Sequence, residues 1–285
     1  MEGCLSEIIY NMKRLIYALF VLAAVVSCKD EPIVIIQIAD AQLGFDAAVK
    51  GQVPGAEYIN DLSYEAAYLE KAVSEINRTR PDFVVFTGDQ VHLPADQEQW
   101  DLLGAILSGI DPDVRVFHIP GNHDVFLSEG KVDITPFSSR YGEDRFVYND
   151  GKVCIVGINS SLIMHNDPRE EEQFEWLKGV LGQSDDKVVK ILFCHHPFFL
   201  EDIDEDDGHA QIRKAKRKRY FDMFATAGVD AVYAGHLHYD SEGEYRGVPM
   251  KTSTSAAYQL GGSEPSYRNI LIQNGEIIQD DMTGL

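Results

Sequence analysis

Five apolar runs in this chain end on residues of the types that ligate metal ions. Asp40 follows Ile33–Ala39, Gly88-Asp89 follows Phe83–Thr87, and Gly121-Asn122-His123-Asp124 follows Arg115–Ile119. His195-His196-Pro197 follows Val188–Cys194, and Gly235-His236-Leu237-His238 follows Ala231–Ala234. Carboxylates, an amide oxygen and imidazoles are the ligand set of hard or borderline divalent ions, and the lack of cysteine at these positions argues against a structural zinc site. A single Asp at a strand end is weak evidence, because Asp caps helices and turns at least as often. Gly-His-Leu-His is stronger, since alternate residues of an extended segment point the same way and set two imidazoles side by side. Five such ends in one chain are hard to explain by packing.

The elements that must position these residues follow from periodicity. Short β-branched runs alternate with longer amphipathic stretches, the pattern of an α/β protein, and in such sheets ligand sites gather outside the carboxyl ends of the strands. Leu62, Ala66, Leu69, Val73 and Ile76 share one face of a helix, being spaced by three and four. Trp100, Leu103 and Leu107 predict a second helix, Phe174, Leu177 and Leu181 a third, and Tyr220, Phe224 and Ala227 a fourth. A strand over Val153–Asn159 and a further strand set between Val248 and Ile278 are also expected. No repeat or low-complexity linker divides the chain, so residues 28–285 read as one domain.

In this order the motifs resemble the calcineurin-like metallophosphoesterase superfamily, whose signature runs Asp-x-His, Gly-Asp, Gly-Asn-His-Asp/Glu, a strand-end His and Gly-His-x-His. The resemblance implies an α/β fold built as a four-layer α/β/β/α sandwich. It also implies two divalent metal ions, bridged by Asp89, with Asp40 and His238 completing one site and Asn122, His195 and His236 the other. His195 takes the ligand position, and His196 is expected behind it or lining the pocket. One departure matters. Where most members carry Asp-x-His, this chain has Asp40-Ala41-Gln42, and an amide oxygen at Gln42 shifts preference from zinc or iron towards manganese, magnesium or calcium, of which manganese is favoured. The Asp-x-Gln-x-Gly form, with Phe199 to Asp207 after the strand-end His, is similar to a Ser/Thr phosphatase branch of the superfamily.

Two metals roughly 3.5–4 Å apart acidify a shared water, orient it for in-line attack and neutralise the phosphoryl oxygens, so no protein nucleophile is needed. His123, next to a ligand, is expected to donate a proton or stabilise developing charge. Its plainer role would be to brace Asn122. Asp124 is expected to orient the site. Gly88, Gly121 and Gly235 would allow the turns that aim ligands inward.

The rest of the sequence bounds where and on what such a site acts. Over 285 residues the formal charge is −21, which repels polyanions and forfeits counterion release, so nucleic acid is not expected as a partner. Leu15–Val26 is an uncharged apolar run after Lys13 and Arg14, too short to span a bilayer and patterned as a secretory signal. Residues 1–27 are therefore read as a leader, with translation starting at Met12 and an upstream stretch assigned in error. Val25-Val26-Ser27-Cys28 resembles a bacterial lipobox, so a lipidated Cys28 is expected to anchor the protein in the cell envelope. Cys154 and Cys194 lie in apolar runs and read as buried free thiols, with a disulfide left open. The acidic run Glu201–Asp207 and the basic run Arg213–Arg219 are usual solvated faces, the basic one opening a helix, although the acidic run could border the site and repel nucleotides. Phe198, Phe199 and Tyr258 could line a pocket, but such aromatics are more often core. The reading is a phosphomonoesterase acting on a phosphate ester, phosphoprotein included. A phosphodiesterase is the alternative, and a binding module or a membrane-tethering role ranks below both. The physiological substrate and the oligomeric state are left open.

Overall fold

The computed structural model describes residues 31–54, 59–128, 130–185 and 188–285. The leader, the start at Met12 and Cys28 lie outside the described residues, within which no helix is long and apolar enough to cross a membrane. The strands are β1 (Ile33–Ile38), β2 (Phe83–Thr87), β3 (Arg115–Ile119), β4 (Phe126–Ser128), β5 (Lys131–Asp133), β6 (Phe146–Asn149) and β7 (Val153–Gly157). They continue as β8 (Val189–Phe193), β9 (Ala231–Ala234), β10 (Glu242–Tyr245), β11 (Val248–Thr252), β12 (Ser266–Gln273) and β13 (Glu276–Gly284). The helices are α1 (Phe45–Gly51), α2 (Ser63–Thr79), α3 (Gln97–Leu107), α4 (Thr135–Tyr141), α5 (Ser160–Met164), α6 (Glu170–Gln183) and α7 (Lys214–Ala227).

Two sheets carry the architecture, one in the order β13-β12-β1-β2-β3 and the other β10-β11-β9-β8-β7-β6. β1, β2 and β3 run parallel, as do β7, β8, β9 and β11. Parallel strands are covered on both faces, and β2, β7, β8 and β9 are buried along their whole length. The inner faces meet through Ile35, Val85 and Ile119 of one sheet and Ile155, Ile191 and Tyr233 of the other. Outside the first sheet, Ile36, Val84 and Phe86 pack on Leu69, Ala72 and Ile76 of α2 and Trp100 and Leu103 of α3. Outside the second, Val156, Leu192 and Val232 pack on Leu177 of α6 and Phe221 and Phe224 of α7. Helices, sheet, sheet and helices thus form the four layers the motifs imply.

Between the sheets, just below the strand ends, the buried Gln37 of β1 ties the layers together. Its Nε2 donates to Thr87 Oγ1 at 3.1 Å and to the Ala234 carbonyl at 3.0 Å, and Ser253 Oγ donates to its Oε1 at 2.7 Å. Every buried polar atom here is satisfied, as it must be to avoid a penalty of about 1–3 kcal/mol each.

The four predicted helices are α2, α3, α6 and α7, each near its expected place. The strand ends differ by a residue or two. β1, β7 and β8 stop at Ile38, Gly157 and Phe193 rather than at Ala39, Asn159 and Cys194, because the chain turns out of the sheet there. Asn159 instead caps α5, its side chain accepting from Ser161 N at 3.0 Å. The hairpin β4–β5, the edge strands β6 and β10, and helices α1, α4 and α5 are not legible in the sequence, each being too short, at three to seven residues, to show a period. Cys154 and Cys194 are free and buried. Phe198 and Phe199 are fully buried in the core outside the second sheet, so neither lines a pocket.

Candidate metal centre

The site straddles the two sheets. β1, β2 and β3 deliver Asp40, Asp89 and Asn122 from one, while β8 and β9 deliver His195, His236 and His238 from the other. Around Nε2 of His195 three atoms converge: Asn122 Oδ1 at 3.0 Å, His236 Nδ1 at 3.1 Å and Asp89 Oδ2 at 3.3 Å. The opposite ring nitrogen, Nδ1, donates to the Thr87 carbonyl at 2.9 Å, which fixes the ring so that Nε2 faces the cluster. On the other side, His238 Nε2 lies 3.6 Å from Asp40 Oδ1, and His238 Nδ1 donates to the Tyr258 carbonyl. Ligating atoms of Asp40, Asp89 and His195 all lie within 4.8 Å of one another.

The backbone is bent to make this happen. Asp40, Gln42, Asp89, His236 and His238 all have positive φ, between 38° and 73°, and make up five of the nine non-glycine residues in that region among the described residues. Each such residue costs on the order of 1–2 kcal/mol. Strain concentrated on one cluster points to function rather than to folding. At Gly121 a Cβ would collide with the backbone and carboxylate of Asp89, and at Gly88, where φ is 91°, it would sit 2.7 Å from His195 Nδ1. Neither position tolerates a side chain.

Electrostatics agree with an ion-binding site. Burial alone would lower the His195 imidazole, but the Asp89 carboxylate beside it raises it to about 9. Burial would likewise raise Asp89, yet His195 and His123 hold it far below the usual carboxylate range. His236 is pushed down to about 3 by burial and by His195. A cation at the His195 Nε2 position would take the place of that proton. Two buried oxygens, Asp40 Oδ1 and Gln42 Oε1, have no hydrogen-bond partner. Gln42 Nε2 lies 3.5 Å from His92 Nδ1, and that pairing leaves Oε1 as the free end of the amide. Orphaned buried acceptors are what a bound cation would satisfy, so the donor set fits two divalent ions.

The flanking residues divide into those that touch the cavity and those that hold it. His123 lines it; its Nδ1 donates to the His92 carbonyl at 2.8 Å and its backbone N–H donates to Asp89 Oδ1 at 2.8 Å. Asp124 does not reach it. Its Oδ1 accepts from Gln90 N at 2.8 Å and Val91 N at 3.3 Å, and its Oδ2 from Gly121 N at 2.9 Å. It is fully buried, and burial, with the nearby Asp89, raises its carboxyl. It therefore locks the β2 loop to the β3 loop. His196 has a ring nitrogen near those of His195 and His236. However, Ser160 Oγ, which already accepts from His195 N and His196 N, donates to His196 Nδ1 at 3.1 Å.

Several supporting residues escaped sequence reasoning. Glu65 accepts from Asp46 N at 2.5 Å and Gly44 N at 3.4 Å, and Gln99 Oε1 accepts from His92 N at 3.0 Å and Leu93 N at 2.8 Å. Both are fully buried on α2 and α3. The signal was present: Glu65 stands three from Leu62 and four from Leu69, on the apolar face, where a carboxylate needs a reason. The acidic run is also different from its reading as a site border. Asp204 pairs with Lys218, Glu205 with loop amides and Asp207 with Arg217. None of them lines the cavity; His209 and Ala210, which follow, do.

That cavity, about 350 Å³, opens over the cluster between Asp89, Asn122, His123, His236 and His238. Phe45, Leu237, Tyr239 and Leu260 form its apolar walls. No lysine or arginine is among its described lining residues.

Residues 35–240 match the model of the calcineurin-like phosphoesterase family. The chain is 31% identical over 253 residues to the serine/threonine-protein phosphatase CPPED1 of Bos taurus, covering 85% of this chain and 80% of that one. It is 27% identical over 202 residues to a probable cyclic nucleotide phosphodiesterase of Rhodopseudomonas palustris, covering 68% of this chain and 71% of that one. Its fold is similar to that of a dimetal phosphatase from Danio rerio, with TM-score 0.62 at 17% identity over 88% of this chain and 99% of that one.

Proposed function

Because the chain belongs to the calcineurin-like phosphoesterase family and is a metal-dependent phosphoric ester hydrolase, we propose that it hydrolyses phosphomonoesters, phosphoprotein among them. In this reading Asp40, Gln42, Asp89 and His238 hold one divalent ion, and Asp89, Asn122, His195 and His236 the other. The observation that carries it is the convergence of Asn122, His236 and Asp89 within 3.0–3.3 Å of His195 Nε2. Two bound ions supply Lewis acidity to the phosphoryl oxygens and an acidified water as nucleophile. Manganese is favoured, because the Gln42 oxygen replaces an imidazole.

The chain's own residues do the rest. Asp89 would be the carboxylate shared by both ions. His123, oriented by the His92 carbonyl, turns its other nitrogen to the substrate and stabilises charge on a phosphoryl oxygen. Asp124 holds the loops that carry Asp89 and Asn122. The apolar walls and the absence of Lys and Arg from the described lining favour an ester with a single phosphate and an uncharged organic group, since further phosphates would find no cation. The relation to a chain named as a serine/threonine-protein phosphatase supports the same choice.

A diester reading retains support from the relation to a probable cyclic nucleotide phosphodiesterase, and the same walls could seat a second substituent. Hydrolysis of p-nitrophenyl phosphate against bis(p-nitrophenyl) phosphate with manganese decides between them. Faster monoester turnover is expected. Preference for the bis ester would overturn the monoesterase reading, and inactivity on both with any divalent ion would favour a binding module. The location proposed is the bacterial cell envelope, on the periplasmic side or the outer membrane, through a lipid on Cys28; its support is the Val25-Val26-Ser27-Cys28 sequence.

A further inference from the structure

His92 belongs to neither ion set, yet it touches both Gln42 and His123. Its backbone N–H is shared between the Leu43 carbonyl at 2.9 Å and Gln99 Oε1 at 3.0 Å, so the loop after β2 is pinned to the loop after β1 and to α3. The half-buried ring packs on His123, with centroids 4.8 Å apart and planes at 24°, and on Phe45 at 5.3 Å and 35°. These two contacts set the plane of the imidazole. With the ring so held, Nδ1 lies 3.5 Å from Gln42 Nε2.

That pairing has only one polarity. An amide nitrogen donates and does not accept, so His92 Nδ1 is the acceptor and the ring carries its proton on Nε2. A carboxamide can turn over, exchanging Oε1 and Nε2 at almost unchanged shape. Turned over, Gln42 would set an N–H where a cation is to bind. An acceptor on one side of the amide keeps the oxygen on the other, and Gln42 Oε1 is buried with no hydrogen-bond partner. We infer that His92 is a positioning residue whose imidazole holds the Gln42 amide with Oε1 turned to the ion. An amide ligand needs such a partner for the same reason that a ligating imidazole needs one on its second nitrogen. The His92 carbonyl, which accepts from His123 Nδ1 at 2.8 Å, is main chain and survives any substitution, so changing the side chain tests the ring alone. This rests on the reading of Gln42 as an ion ligand.

Titration of the metal-free protein with manganese, counting ions and measuring their dissociation constants by calorimetry, tests it without reference to turnover. His92→Phe keeps a ring against His123 and Phe45 but has no acceptor, and is expected to weaken one of the two ions about 10–100-fold while the other is held as in the wild type. His92→Leu, of similar bulk and also without an acceptor, should show the same loss. His92→Asn lacks the ring but carries an amide oxygen close to the Nδ1 position, and should keep both constants within about threefold of wild type. In a Gln42→Ala background, with no amide left to hold, adding His92→Phe should cost less than about threefold more. Thermal midpoints without metal establish that each variant is folded. Unchanged manganese constants in folded His92→Phe or His92→Leu overturn the assignment. So does the full loss appearing again in His92→Asn, or on top of Gln42→Ala. A wild-type protein that takes up fewer than two manganese ions would instead overturn the two-ion reading itself.

Discussion

His195 Nε2 lies 3.3 Å from Asp89 Oδ2 although the two residues hang from different sheets, Asp89 after β2 and His195 after β8. The site therefore exists only when the two sheets are packed. A carboxylate oxygen of Asp89 also lies within 4.8 Å of one of Asp40, so one carboxylate stands beside both halves of the cluster.

Asp89→Asn is expected to abolish binding of both ions, whereas His238→Ala should leave one ion bound. The activity loss in Asp89→Asn should exceed the roughly 10–100-fold penalty of removing a group that only supports a ligand. Manganese at 100 times its dissociation constant should stabilise the wild type by about 2.7 kcal/mol and raise its thermal midpoint by several degrees, a shift Asp89→Asn should lack. Metal analysis, kinetics and calorimetry measure this. Two ions retained with near-normal turnover would remove Asp89 from the bridge.

Gln42 has a buried Oε1 with no partner and a backbone φ of 38°. Gln42→His should tighten zinc or iron binding at that position and raise activity with those metals, since imidazole is the stronger donor. A competition titration between zinc and manganese reads it out. Unchanged selectivity would mean that Gln42 does not face the ion.

Acid should destabilise the fold through His118, which stacks between Phe86 at 4.8 Å and Tyr141 at 3.9 Å. Its Nδ1 donates to Gln90 Oε1 at 2.6 Å, and burial pushes the imidazole from 6.5 down to about 3. The folded state thus refuses a proton that the unfolded chain accepts. The stabilisation is complete above pH 6.5 and is lost progressively as pH falls towards 3, by at most about 1.4 kcal/mol per unit. His118→Phe should cost about 1–3 kcal/mol at pH 7, because Gln90 loses its partner, but should flatten the decline between pH 6 and 4. Urea midpoints across that range test it, and an equally steep decline in the variant would assign the effect elsewhere.

Cys28→Ser should release the protein from membranes with catalysis intact. Fatty-acid labelling of wild type and variant decides the point. Unlabelled wild-type protein recovered wholly in the soluble fraction would refute the anchor.

The features legible along the chain are local ones. Helices α2, α3, α6 and α7 follow from apolar spacing of three and four, the central strands from β-branched runs, and the candidate ligands from Asp, Asn and His placed directly after those runs. Each signal lies within a few residues of chain, where backbone geometry alone sets which side chains share a face. The tertiary structure decided what depends on distant segments meeting. That Asp124 orients the site is an expectation from its place beside Asn122, but the groups it holds, three amides of two separate loops, are set by packing. The acidic run reads like a charged border, yet it folds onto the buried Arg217 and leaves His209 facing the cavity. Glu65 and Gln99 acquire roles only because α2 and α3 pack beneath the site loops. In each case the deciding term is the cost of burying a polar group unpaired, and which group becomes buried beside which is fixed only by the packing of one sheet on the other.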